Sequence, residues 1–75
     1  MAEGDLQKTV GVNLRVHRKT MGLSQEDFAD YVGVHRTYMG ALERGERNLT
    51  LQSLERIASQ IGVQPLDLLR PPAEK

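Results

Sequence analysis

The stretch QEDFADYVGVHRTYMGALER, residues 25–44, decides the fold. Gly33 divides it into two short runs whose apolar residues recur at helical rather than alternating spacing. In the first run Phe28, Tyr31 and Val32 form an apolar arc, with Ala29 beside it. In the second, Tyr38, Met39 and Leu42 share an arc. A glycine at the junction accepts the positive φ that a tight turn demands. Ala29 is small enough for two helices to cross closely, and Phe28, Val32, Val34, Met39 and Leu42 supply the apolar set that holds such a crossing. Each feature is common alone. In register, they predict two short helices meeting at a steep angle through a turn of about three or four residues.

The same period continues on both sides. Ser24 is placed to cap the first of these helices, with Asp27 adding a carboxylate to its opening turn. Upstream, Lys8 to Met21 places Val10, Leu14, His17 and Met21 on one face, and Gly22 ends the run. Downstream, Thr50 caps a helix with Leu51, Leu54, Ile57, Ala58 and Ile61 on its apolar face and Gly62 as its stop. A short fifth helix runs from Pro65 to Leu69, with proline suited to a first helical position. No segment reads as a strand. The expectation is an all-α domain of five helices spanning residues 1–75, its core at about 8–70. The tails 1–7 and 71–75 are expected to fray, since Pro71-Pro72 stops any helix.

A chain of 75 residues buries only about 60% of its unfolded surface, so its core is thin and a second copy would add to it. It contains no cysteine, which removes disulfides and thiolate metal sites and fits a reducing cytosol. No signal peptide or membrane-spanning run is evident, so a cytoplasmic location is expected. Two separated histidines and no glycine-rich phosphate loop leave no catalytic constellation, metal site or cofactor site. The chain is therefore expected not to be an enzyme.

What the second helix shows outward is more informative. At about 100° per residue, Arg36, Thr37, Gly40, Ala41 and Arg44 lie opposite its core arc. An ordinary surface helix would carry Glu, Lys and Gln there. Here an arginine and a threonine are followed by two residues with almost no side chain, one of them a glycine that costs roughly 1 kcal/mol against alanine. A face that approaches a large partner closely would justify Gly40, and the major groove of DNA fits. Arg36 can fork onto guanine O6 and N7, and Thr37 can touch a base edge or a thymine methyl. Ser24 and Gln25 lie where the phosphate backbone would pass, His35 opens the helix within reach of phosphate, and Arg47 and Asn48 occupy a loop beyond Gly45. The formal net charge is zero, so any basic face must be local: Arg36, Arg44 and Arg47 cluster while acidic residues fall mostly elsewhere.

At these residues the chain resembles a known family. Gly22-Leu23-Ser24-Gln25-Glu26-Asp27-Phe28-Ala29, followed by Leu42-Glu43-Arg44-Gly45, is similar to the Cro/C1-type (XRE family) helix-turn-helix domain of phage repressors, which has a lambda-repressor-like fold. His35-Arg36-Thr37-Tyr38 and Glu43-Arg44-Gly45-Glu46-Arg47-Asn48 resemble controller proteins of restriction–modification systems. The resemblance implies a sequence-specific transcriptional regulator that binds double-stranded DNA as a homodimer. It implies DNA contacts from Gln25, Arg36, Thr37 and Tyr38, backbone contacts from Arg47 and Asn48, and an ion pair between Arg18 and Glu43. His17 departs from the family, which usually has an aliphatic residue there.

Plainer roles stand beside these. Arg44 serves equally as a solvated residue, Tyr38 as packing, Asn48 as turn chemistry, and His17 as a partly buried core residue. Leu66, Leu68 and Leu69 exceed what a five-residue helix needs for one core, and a dimer seam there would explain the surplus. Bound as a dimer, the protein would occlude or recruit RNA polymerase, controlled by its concentration for want of an effector-binding domain. The rival reading is a protein-interaction or antitoxin module on the same scaffold.

Overall fold

The computed structural model describes residues 2–72. Five helices follow one another: α1 (Asp5–Thr20), α2 (Gln25–Val32), α3 (Arg36–Glu43), α4 (Leu51–Ile61) and α5 (Pro65–Leu69). Among the described residues there is no strand. Local chemistry explains the boundaries. The Asp27 amide donates to Ser24 Oγ at 3.0 Å and the Ser53 amide to Thr50 Oγ1 at 3.0 Å, capping α2 and α4. Gly33 and Gly62 end the same two helices with φ of 82° and 77°.

The fraying expected over residues 1–7 stops short: α1 already begins at Asp5, whose carboxylate accepts from the Ala2 amide at 2.7 Å. Of the tail expected at 71–75, Pro71 and Pro72 are non-helical, while residues 73–75, like residue 1, lie outside the described set.

Val10, Leu14, Phe28, Ala29, Val32, Met39, Leu42, Leu54, Ile57, Ala58 and Leu68 form one core drawn from all five helices. Burying each of the larger side chains stabilises the fold by about 1.5–3 kcal/mol. Two positions govern how closely α1 approaches its neighbours. A Cβ on Gly11 would stand 2.5 Å from the Leu42 carbonyl oxygen, so glycine here lets α1 touch the backbone at the end of α3. Buried Asn13 donates from Nδ2 to the carbonyls of Leu68 at 2.9 Å and Arg70 at 2.7 Å, tying the end of α5 to α1.

Three apolar assignments differ from the periodic reading. Tyr31 and Leu51, placed on apolar faces, are 47% and 79% exposed. On α5 the expected surplus divides unevenly: Leu68 is 0% exposed, Leu69 is half-buried and Leu66 is 65% exposed. Leu68 therefore belongs to the subunit's own core, and no seam of Leu66, Leu68 and Leu69 together can form. A five-residue helix makes little more than one turn, so its apolar residues cannot by themselves indicate which side meets the core.

Candidate nucleic-acid interface

The turn between α2 and α3 presents the start of α2 beside the start of α3. Arg36 Nη1 lies 3.7 Å from Glu26 Oε1, with both side chains well exposed. Such an exposed pair is worth about 0–1 kcal/mol, so the guanidinium is free to exchange its carboxylate for another acceptor. Thr37 is exposed beside it, and its amide donates to His35 Nδ1 at 3.1 Å, so His35 caps α3. Ser24, for its part, uses its hydroxyl oxygen to cap α2.

Further along, Tyr38 is half-buried, and the Arg47 guanidinium lies 5.0 Å from its ring centroid. This cation–π contact joins the loop after α3 to α3 itself. Arg44 Nε lies 3.0 Å from Glu46 Oε1 in a second exposed pair. Asn48 Oδ1 accepts from Gln7 Nε2 at 2.6 Å, which leaves the Asn48 amide nitrogen outward as a donor. Arg36, Arg44 and Arg47 thus mark one face of a chain with no net charge.

Behind this face sits a polar anchor. Arg18 donates to Glu43 through Nε at 2.8 Å and Nη2 at 3.2 Å, and to the Leu23 carbonyl through Nη1 at 3.1 Å. The two-bond geometry fixes the carboxylate. Gln25 then donates from Nε2 to Glu43 Oε1 at 3.1 Å, crossing from α2 onto α3. Four residues from three helices and the first turn are thereby tied together.

Gly40 is the correction here. Expected as a bare spot on the outward face, it is buried beneath side chains: a Cβ would stand 3.1 Å from Gln25 Oε1 and 3.3 Å from Arg44 Nη1. The projection of α3 placed Gly40 on the right side of its helix and could not show a neighbouring helix covering it. Gly11 and Asn13 were missed altogether. Glycine within an otherwise helical run was the available signal for the first, and an asparagine between Val10 and Leu14 for the second.

An apolar groove adjoins the loop. It has a volume of about 200 Å³ and is lined in part by Leu6, Leu49, Leu51, Leu54 and Leu69, with Arg47 and Asn48 at its rim.

With the geometry in place, the helix-turn-helix family profile HTH_3 matches residues 14–68. The chain belongs to the helix-turn-helix family. Several solved structures share its fold. A hypothetical transcription factor from Neisseria superposes with a TM-score of 0.83 at 39% identity, covering 96% of this chain and 83% of that one. The restriction–modification controller protein C.AhdI from Aeromonas hydrophila gives 0.74 at 37% identity, over 83% of this chain and 94% of that one. The biofilm regulator SinR, solved in complex with DNA, gives 0.72 at 29% identity, over 81% and 98%. In sequence, the control protein C.SmaI of Serratia marcescens is 40% identical over 65 residues, 87% of this chain and 77% of that protein. This helix-turn-helix protein therefore shares its fold with transcriptional regulators and with restriction–modification controllers.

Proposed function

We propose that this DNA-binding transcriptional regulator acts as a homodimer on a short palindromic operator, in the manner of a restriction–modification controller protein. The observation that carries the reading is the outward rim of α2, α3 and the following loop. There Arg36, Thr37 and the Tyr38–Arg47 pair stand exposed or half-exposed on a helix whose other side is locked into the core. Arg36 reads a guanine edge, Thr37 a neighbouring base, and Tyr38 contributes from the edge of the same face. Arg44, Arg47 and Asn48 neutralise or bond phosphates and fix the register, with Ser24 and His35 flanking the backbone path.

One α3 of eight residues reads only a few base pairs. A second copy doubles the site, and a two-fold axis would set the paired helices about 34 Å apart along one face of the duplex. The apolar groove beside the loop, with Leu51 at its lip, suits the seam between copies better than α5 does. Bound at a promoter in the cytoplasm, such a dimer either blocks RNA polymerase or holds it.

Selection from a random duplex pool tests the reading. The expected product is an inverted repeat whose half-sites are centred about 10 base pairs apart. Enrichment of nothing, or of a single asymmetric half-site, would overturn it and favour a protein-interaction module.

A further inference from the structure

Gly40 sits in the middle of α3, where glycine weakens a helix, and the space it leaves is filled by a side chain from α2. We propose that Gly40 sets the protein's base preference through Gln25: the bare floor lets Gln25 lie across α3 with its amide nitrogen on Glu43 and its carbonyl oxygen presented to the duplex. This rests on α3 being the groove-facing helix.

The orientation follows from hydrogen-bond chemistry. The Glu43 carboxylate, held from the far side by Arg18 at 2.8 Å, can only accept. Gln25 must therefore turn its nitrogen toward it, and the bond at 3.1 Å does so. The carbonyl oxygen then takes the other side of the amide, above Gly40, where a Cβ would be 3.1 Å away. Arg44 Nη1 flanks the same point at 3.3 Å. The floor is thus bordered by one fixed acceptor and one cationic donor.

In the major groove an acceptor matches the exocyclic amines of adenine and cytosine, and it opposes guanine O6 and thymine O4. A phosphate oxygen, itself an acceptor, is a poor partner for the same atom. Gln25 in this pose is a base-reading residue, and Gly40 is the positioning residue that permits the pose. An alanine Cβ at position 40 would meet only the ends of two flexible side chains, so the fold survives while the Gln25 carbonyl is pushed off its place.

The test enriches a random duplex pool on the wild-type chain and on Gly40→Ala, Gln25→Ala and the double variant, with a thermal melt of each. Wild type is expected to prefer adenine or cytosine at one position per half-site. Gly40→Ala should keep or raise Tm, yet lose on the order of tenfold discrimination at that position, the share one base contact carries. Gln25→Ala should lose discrimination at the same position, and the double variant should be no worse than either. Unchanged preferences in Gly40→Ala, losses at different positions, losses that multiply in the double variant, or a wild-type preference for guanine or thymine there would each overturn the proposal. A wild-type chain that enriches no sequence would overturn the groove reading beneath it, and this inference with it.

Discussion

Arg36 carries the heaviest demand of any single residue, and its surroundings explain why it can meet it. It opens α3, stands well exposed, and is held only by Glu26 at 3.7 Å. A planar fork on the first turn of a groove-facing helix has the geometry to take guanine O6 and N7 together. Lysine would carry the charge without the fork, so the two are not interchangeable here. Arg36→Ala should cost about 1–3 kcal/mol of specific affinity and relax preference at one base pair, with little change in thermal stability. Titration of the selected operator and its single-pair variants by fluorescence anisotropy measures both. Equal affinity for wild type and variant would remove Arg36 from the readout.

Elements were legible to different degrees, and the differences have physical causes. Helices α2, α3 and α4 could be read from Ser24, Gly33, Thr50 and Gly62 because caps and turns are local chemistry, and each of these residues does that work. The Arg36–Thr37 end of the interface was readable for the same reason: helical period alone places both residues opposite the core arc. Gly40 and Leu68 were not readable, because what covers them comes from other helices. Asn13 belongs with these. A helix of five residues has almost no stability of its own, and α5 persists because Leu68 is buried and Asn13 Nδ2 holds the carbonyls of Leu68 and Arg70. Asn13→Ala strips those carbonyls of their donor in a buried setting and should cost about 1–3 kcal/mol. Native-state hydrogen exchange should show α5 amides losing protection before those of α2 and α3. Protection of α5 equal to that of the wild type would mean that Leu68 alone holds it.

At the scale of the whole molecule, zero net charge constrains how this protein finds DNA. Counterion release supplies most non-specific affinity, so a neutral chain with a few arginines on one face binds random duplex weakly and depends on two half-sites to bind its operator well. Dimerisation is then a condition of function, and the seam can be tested by contrast. Leu51 is the most exposed of the large apolar residues among those described, so it adds little to the stability of one subunit, whereas Leu68 is wholly inside it. Leu51→Glu should leave the melting curve of a dilute sample nearly unchanged, shift sedimentation toward monomer, and weaken operator binding far more than binding to a single half-site. Leu68→Glu should instead lower the melting temperature sharply, because a charge would enter a dry core. A Leu51→Glu chain that still sediments as a dimer would place the seam on another face. Loss of folding in that variant would show that Leu51 packs within its own subunit.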